Sequence, residues 1–270
     1  MKVSICSIAK SEHAYINDWI NYHLKLGFDC IYVYDNNEDN GIPLDSVISN
    51  KEKVVVTPFK TNNTFFDTQA EAYNHFIDNY GQKYDWCLFI DIDEFLHLNV
   101  DNVKTFLSKA PDTNHNILLH WNLFGDDNII VGDESVPIYE RILTPIKSTQ
   151  SVVYNSFVNF KTNPTYKACS PHLFAGELME KPLCYDCNFN EIRYYINYLK
   201  ASFIDLDKYE CYINHYQTRT LSEFIKYKFE NTKVNYDYSD DLVLDMFFAN
   251  NEKTPEKLEY IKNTLNIDYK

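Results

Sequence analysis

Two aspartates that directly follow an apolar run are the first residues in this chain whose types and spacing could do chemistry. The run from Trp86 to Ile90 has the length and composition of a buried strand, and Asp91 and Asp93 follow it two residues apart. If the backbone stays extended there, both carboxylates lie on one side of the chain. Such a pair suits Mg²⁺ or Mn²⁺, which accepts oxygen ligands and keeps positions for phosphate oxygens. The pattern predicts a metal and diphosphate site, and the alternative is a strand that runs into a solvated acidic turn.

The elements before these aspartates alternate between strand and helix. Val3 to Ala9 is predicted as a strand, and a helix follows it with Ser11 as its cap and Gly27 as its end. Phe28 to Tyr34 is the second strand. Three further elements are predicted, namely a helix at Pro43 to Ser49, a strand at Val54 to Thr57 and a helix from Asp67 or Thr68 to Asn79. This alternation predicts an α/β fold with a mostly parallel central sheet flanked by helices, in which ligands bind beyond the carboxyl ends of the strands.

The pattern changes after residue 100, where short strands and loops without strong periodicity predominate. We expect substrate specificity to lie in this loop-rich half, since long loops on a scaffold carry function. Thr220 and Glu223 have capping-box spacing, and two more helices follow Asp237. The prediction is one domain at 1–235, with a nucleotide-binding half at 1–99 and an acceptor half at 100–235, and a helical tail at 236–270 packed on the body.

The composition excludes several classes of protein. A formal net charge of −14 argues against broad nucleic-acid binding, which needs a basic surface. No apolar run has the length of a membrane span, and the first strand is too short and too soon polar for a signal peptide. Seven scattered cysteines fit a reducing compartment better than a disulfide framework. We therefore expect a cytoplasmic protein.

One group of cysteines has spacing that a zinc site could use. It consists of Cys169, His172, Cys184 and Cys187. The segment also reads as loop, and cysteines of cytosolic proteins are commonly small buried hydrophobes. Both interpretations stay open at this point.

Short motifs in a fixed order give the chain a family likeness. They are Ile8 to Glu12, Trp19 to Gly27, Tyr32 to Asn36, Gln69 with Ala72 to Asn74, Phe89 to Phe95, His215 with Tyr216, and Phe224. In this order the chain resembles bacterial glycosyltransferases of the family 2 and family 92 type, which have the GT-A nucleotide-diphospho-sugar fold. The resemblance covers residues 1–130 well, returns at 215–229 and is thin between 140 and 211.

The resemblance implies a set of site residues. The nucleotide-sugar positions are Ala9, Lys10, Glu12, Asp35, Gln69, Asp91, Ile92, Arg219 and Lys226, and the metal ligands are Asp91, Asp93 and His215. Ser11 departs from the family, which often has Asn there. Several of these residues also have plain structural interpretations: Asp35 as a turn cap, Gln69 as an ordinary helix residue, His215 as a satisfied histidine, and Arg219 and Lys226 as a solvated face. Trp121 is either a sugar platform or a core residue.

The chemistry of sugar transfer fits these residue types. Negative charge develops on the leaving diphosphate, and Mn²⁺ or Mg²⁺ with a nearby Arg or Lys stabilises it. An inverting enzyme also needs a general base, for which Asp127 and Glu177 are the candidates. A retaining enzyme needs no such base, and the sequence does not settle the stereochemistry.

The function predicted from the resemblance is a metal-dependent glycosyltransferase of surface polysaccharide synthesis. It would use a UDP-sugar donor and a glycan or lipid-linked glycan acceptor, with peripheral membrane contact through the acceptor. The alternatives are a sugar-phosphate nucleotidyltransferase, disfavoured by the missing Gly-rich loop after the first strand, and a glycan-binding protein on a transferase fold.

Overall fold

The computed structural model describes residues 1–37, 41–61, 65–112, 116–146, 154–176, 183–192 and 206–269. Packing groups the chain into two units. The first unit contains Met1–Asn122 and Ser148–Asn214, and the second contains Leu123–Lys147 and His215–Lys270. The predicted boundary at 235/236 thus falls inside the second unit, because the helices of the tail share a core with residues 221–229.

The amino-terminal part of the first unit alternates strand and helix as predicted. Its elements are β1 Val3–Ala9, α1 Ile16–Lys25, β2 Cys30–Asp35, α2 Leu44–Val47, β3 Val54–Pro58, α3 Phe65–Tyr80 and β4 Trp86–Phe89. Gly27 follows α1 with a φ of +96°, which confirms its role at the helix end. The predicted cap at Ser11 is wrong. Ser11 has a φ of +62° and its N–H binds the Asn37 side chain, so the helix begins only at Ile16.

Most of the remaining strands extend this sheet. The elements are β5 Glu94–Leu98, α4 Val103–Leu107, β6 Asn116–Leu123, β7 Tyr154–Asn159, β8 Lys167–Ser170, β9 Leu173–Ala175, β10 Cys184–Tyr185, β11 Glu191–Ile192 and β12 Cys211–His215. Within the described residues, ten strands form one mixed sheet that contains the order β11-β10-β6-β7-β4-β1-β2-β3, while β8 and β9 form a separate pair.

The parallel part of the sheet is formed by the strands of the amino-terminal half of the chain. Strands β4, β1, β2 and β3 are parallel neighbours, whereas β7 runs antiparallel to both β4 and β6. Helix α3 covers one face by burying Ala72, Tyr73, Phe76 and Ile77 in a core that includes Tyr32 and Phe89. The predicted α/β class is confirmed, and the sheet is parallel where the sequence alternates strand and helix.

The second unit is helical. Its helices are α5 Ile138–Arg141, α6 Leu221–Glu223, α7 Glu230–Tyr236, α8 Asp240–Phe248 and α9 Pro255–Leu265, and Phe224–Phe229 forms a π-helical turn. The predicted capping box of Thr220 and Glu223 is present. Apolar side chains from α6, α8 and α9 pack together with those of the π turn into one core.

None of the helices in the described part of the chain has both the length and the apolar character that crossing a membrane requires.

Candidate functional site

The carboxyl ends of β1, β2 and β4 meet at one edge of the sheet because these strands are parallel neighbours. Ala9, the last residue of β1, is paired with Asp35, the last residue of β2, and the Ala9 carbonyl accepts a hydrogen bond from the Asn36 N–H at 2.9 Å. The predicted nucleotide positions Ala9, Lys10 and Asp35 are thereby brought together. The loop that follows β1 continues to Glu12, whose carbonyl accepts the N–H groups of Tyr15 and Ile16.

Asp35 holds the loop after β2 in place. Its Oδ1 accepts hydrogen bonds from the backbone and side-chain amides of Asn37, at 3.1 and 2.7 Å, and its Oδ2 accepts the Leu44 N–H at 2.8 Å. Asn37 in turn accepts the Ser11 N–H at 2.8 Å, which joins the loops after β1 and β2. Asp35 therefore has the turn-capping role that the sequence left open. Asn37 was not predicted, although an Asp-x-Asn sequence after a strand is typical of such a turn.

The two aspartates that opened the sequence analysis lie on a tight turn. Strand β4 ends at Phe89, the chain turns at Ile92 and Asp93, and β5 begins at Glu94. The extended backbone that we expected through Asp91 and Asp93 is therefore not found. The Glu94 N–H donates to the Asp91 carbonyl at 3.2 Å, and the Asp91 N–H donates to Glu94 Oε2 at 2.8 Å. We call residues 91–94 the acidic turn.

The side chains of the acidic turn differ in exposure. Asp91 is half-buried, whereas Asp93 and Glu94 are buried. Ile92 was predicted to contact the nucleotide-sugar. Its side chain is buried, with the residue only 2% exposed, so a nucleotide-sugar could contact only its main chain.

Gln69 fixes the Asp91 carboxylate. This buried residue of α3 donates from Nε2 to Asp91 Oδ1 at 2.7 Å and to the Tyr73 hydroxyl at 2.8 Å. The sequence predicted Gln69 as a donor-side residue, and the structure places it directly against the first aspartate of the motif. Burial and the neighbouring Asp91 charge raise the pKa of Tyr73, so its hydroxyl stays neutral.

Helix α1 fixes β5 immediately behind the acidic turn. Trp19 Nε1–H donates to the Glu94 carbonyl at 2.8 Å. His23 Nδ1–H donates to the Trp19 carbonyl at 2.8 Å, and its Nε2 accepts the Leu96 N–H at 3.3 Å. Complete burial lowers the pKa of His23 to about 3, so that the ring is neutral and can fill both roles.

Glu94 is a buried acid to which the sequence analysis gave no role. Its Oε2 accepts a hydrogen bond from Asn155 Nδ2 in addition to the one from the Asp91 N–H. Burial first, and then the charges of Asp91 and Asp93, raise the pKa of Glu94 well above its usual value. Burial and these two charges therefore favour the protonated form of Glu94, which can act as a hydrogen-bonding acid.

The contacts of Asn155 continue away from the turn. Trp121 Nε1–H donates to Asn155 Oδ1 at 2.9 Å, and the Trp121 ring meets the edge of the His172 ring with centroids 5.8 Å apart. Trp121 is half-buried. Its exposure therefore lies between that of a core residue and that of an open sugar platform, the two roles that the sequence allowed.

Whether the acidic turn could hold a metal ion depends on the ligands that its side chains offer. Among the residues that the structure describes, no three His, Cys, Asp or Glu side chains are grouped so that they could hold an ion alone. The turn offers two carboxylates beside an acid whose pKa they raise, so a cation there would relieve the repulsion between these groups. Two carboxylates suit Mg²⁺ or Mn²⁺ when phosphate oxygens and water supply the other ligands. The residues therefore fit a metal that is bound together with a diphosphate.

The cysteines considered for zinc do not form such a site. Cys184 and Cys187 are fully buried, whereas Cys169 is exposed, and the structure gathers no metal-binding group from the described residues. Cys187 donates from Sγ to the Leu118 carbonyl at 3.3 Å, which is the contact of a small buried side chain.

Three of the residues predicted to bind the metal or the nucleotide-sugar lie in the second unit. His215 is buried at the end of β12, and its carbonyl accepts the Phe124 N–H at 3.0 Å. Arg219 is wholly buried, with a φ of +57°. Lys226 is exposed and forms an ion pair with Glu134 at 2.9 Å, and this contact raises its pKa. The metal role of His215 and the diphosphate roles of Arg219 and Lys226 stay predictions.

Of the two candidates for the general base, the structure describes only Asp127. Asp127 also belongs to the second unit, where it has a φ of +48° and its Oδ2 accepts the N–H groups of Leu143 and Thr144 at 2.6 and 3.1 Å. That contact closes a loop and occupies one carboxylate oxygen. Glu177 lies outside the described residues.

Parts of the chain are similar to known plant proteins. It is 28% identical over 93 residues to a glycosyltransferase family 92 protein of Oryza sativa subsp. japonica, which covers 34% of this chain and 16% of that protein. It is 25% identical over 126 residues to a family 92 protein of Arabidopsis thaliana, which covers 46% and 22%. The chain thus matches less than a quarter of these relatives' length. The likeness to family 92 agrees with the sequence analysis, but these relatives do not support a bacterial family. No protein-family model matches the chain.

Solved structures show similarity over larger parts of the chain at lower identity. The structure of residues 1–349 of TarS from S. aureus is 17% identical, with a TM-score of 0.36, and covers 62% of this chain and 50% of that one. The galactosyltransferase LgtC, solved with donor and acceptor sugar analogues, is 13% identical, with a TM-score of 0.29, and covers 59% and 58%.

Proposed function

We propose that this chain is a metal-dependent glycosyltransferase that transfers a sugar from a UDP-sugar donor to a glycan or lipid-linked glycan acceptor in surface polysaccharide synthesis. The observation that carries the proposal is the acidic turn, two carboxylates held at the carboxyl edge of parallel strands beside the loops that end β1 and β2. The segments similar to family 92 proteins support it, since those relatives carry the glycosyltransferase name.

The described residues account for binding and orientation. The loops after β1 and β2, which Asn37 and Asp35 join, would hold the predicted nucleotide residues Ala9, Lys10 and Asp35 in place. Gln69 orients the Asp91 carboxylate, and the backbone of the turn is closed by Glu94. A divalent cation at Asp91 and Asp93, when bound, would neutralise charge on the leaving diphosphate. The rigid turn keeps both aspartates in position before the donor arrives, which avoids the cost of ordering them on binding.

A thermal-shift titration tests the donor site. Wild type is mixed with UDP, GDP or CDP, with and without Mn²⁺, and compared with Asp93→Ala and with Asp45→Ala, an exposed aspartate of α2 paired to Lys51. We expect UDP with Mn²⁺ to raise the melting temperature of wild type and of Asp45→Ala but not of Asp93→Ala, because ligand binding stabilises the folded state by mass action.

The outcomes separate the alternatives. If no nucleotide stabilises wild type with or without Mn²⁺, the transferase proposal is wrong, and glycan binding without catalysis becomes the function to test. If UTP with a sugar 1-phosphate gives a UDP-sugar and diphosphate, the chain is a nucleotidyltransferase instead. Release of UDP from one UDP-sugar in a hydrolysis panel would support the transferase and identify its donor.

A further inference from the structure

A relay of side-chain hydrogen bonds connects the acidic turn with strands β6 and β7. At its centre is Asn155 on β7, which is 3% exposed. Its Nδ2 donates to Glu94 Oε2, and its Oδ1 accepts the Trp121 Nε1–H of β6 at 2.9 Å. Both ends of the Asn155 amide are therefore engaged inside the first unit, one toward the turn and one away from it.

The contact with Glu94 reaches the backbone of the motif. The Glu94 oxygen that accepts from Asn155 also accepts the Asp91 N–H at 2.8 Å. The Asn155 amide has a donor at its nitrogen and an acceptor at its oxygen, so one side chain can donate to this acid and accept from the indole. Loss of the amide would leave a buried carboxyl and a buried indole N–H without these partners, and the Glu94 side chain would be free to turn away from Asp91.

We propose that Asn155 is a positioning residue for the metal and diphosphate site, acting through Glu94 on the backbone at Asp91. The inference rests on the proposed function, since it assigns Asn155 to the same site. It gives Trp121 a further role, because the indole N–H fixes the orientation of the Asn155 amide. Neither residue needs to touch the donor.

The same strand offers a matched control. Asn159 is also a buried asparagine of β7, and its Oδ1 accepts the N–H groups of Lys161 and Thr162 at 3.1 and 3.2 Å. These contacts cap the turn after β7, and Asn159 is paired with Trp86, at the end of β4 away from the acidic turn. Replacing either asparagine by Ala removes a buried amide, but only Asn155→Ala breaks the relay.

The test is calorimetric titration of UDP in the presence of Mn²⁺ into wild type, Asn155→Ala, Asn159→Ala and Trp121→Phe, with a thermal melt of each protein. We expect Asn155→Ala to weaken UDP affinity about tenfold, the effect typical of losing a residue that orients a metal ligand. Asn159→Ala should lower the melting temperature comparably but keep wild-type affinity. Trp121→Phe, which keeps an aromatic ring and removes the N–H, should weaken affinity less than Asn155→Ala.

Each outcome has one meaning. If wild type binds UDP with Mn²⁺ and Asn155→Ala binds equally well, Asn155 is structural and the inference is wrong. If the affinity falls equally in Asn155→Ala and Asn159→Ala, general destabilisation explains it and the inference is also wrong. If Asn155→Ala does not fold, Trp121→Phe decides, because wild-type affinity in that variant would overturn the relay. Failure of wild type itself to bind would instead contradict the proposed function.

Discussion

The two units of this chain surround their buried acids differently. In the second unit each fully buried acid described here faces a base: Asp126 lies 2.6 Å from Lys257, and Glu223 lies 2.5 Å from Arg141. In the first unit the groups that most raise the pKa of buried Glu94, after burial itself, are two other acids, Asp91 and Asp93. Like charges held together cost stability, whereas paired charges satisfy the buried groups.

This difference supports the proposal that the acids of the first unit have a functional role. A cluster of acids is stable only when the surrounding fold holds it in place, and here neutral groups of Gln69, Asn155 and the backbone make hydrogen bonds to it. Sites where a local rule is broken in this way are typically functional. The second unit shows that the same chain pairs its buried acids where no such site is proposed.

The largest expected effect comes from breaking a pair in the second unit. Glu223→Gln removes the charge that faces Arg141, whose guanidinium makes two hydrogen bonds to the carboxylate and is mostly buried. An uncompensated buried charge typically costs about 3 to 5 kcal/mol. We expect a loss of that size in the free energy of unfolding, measured with urea.

The control for this prediction is Glu134→Gln, which removes the partner of Lys226 on the exposed surface of the same unit. It should cost less than about 1 kcal/mol, because exposed ion pairs contribute little. Equal losses in the two variants would show that pairing of buried acids does not hold the second unit together.

A smaller effect concerns the support behind the acidic turn. Burial lowers the pKa of His23 from 6.5 to about 3, so the folded protein takes up no proton at this ring while the unfolded chain does below pH 6.5. His23 therefore contributes stability above pH 6.5, and this contribution is lost as the pH falls toward 3. Between about pH 7 and pH 4.5 the loss should be about 2 to 3 kcal/mol.

His23→Gln should flatten this dependence. The variant keeps a polar side chain near Trp19 and Leu96 but cannot titrate, so its unfolding free energy should fall less steeply toward acid than that of wild type. The measurement is a series of urea titrations across this pH range. Parallel curves for the two proteins would mean that His23 is not held neutral.

The sequence predicted the elements whose signals lie close together along the chain. It missed features that depend on contacts between residues far apart in the sequence. Strand β1 was predicted with its observed bounds, and α3 nearly so, because their periods and end signals are local. The helix start at Ile16 was missed because Ser11 binds Asn37, 26 residues away along the chain. The aspartates of the motif were found because they stand two apart directly after an apolar strand.

The groups that hold those aspartates could not be found in the same way. Asn155 lies 61 residues from Glu94 and 34 from Trp121, in a segment without periodicity, so no local pattern indicated its contacts. The turn at Ile92 and Asp93 was missed because Glu94 bends back to the Asp91 N–H, and nothing in the spacing of the acids distinguishes that turn from a continued strand.

The smallest expected effect comes from Glu94→Gln, the same change of acid to amide that we expect to be damaging at Glu223. It is the most direct test of the comparison between the two units. The amide oxygen of Glu94→Gln can take the place of Oε2 and accept from Asp91 and Asn155. Near pH 4.5, where burial and the neighbouring charges keep the folded acid protonated, we expect a change in unfolding free energy below about 1 kcal/mol. The raised folded pKa also fixes a sign: only the unfolded wild type loses its proton just above pH 4.5, so wild-type stability falls as the pH rises from there. Glu94→Gln should therefore gain stability relative to wild type as the pH rises above about 5, as measured by urea unfolding. A loss as large as that of Glu223→Gln, or a gain toward acid, would mean that Glu94 is ionised in the folded protein and that the two units treat their buried acids alike.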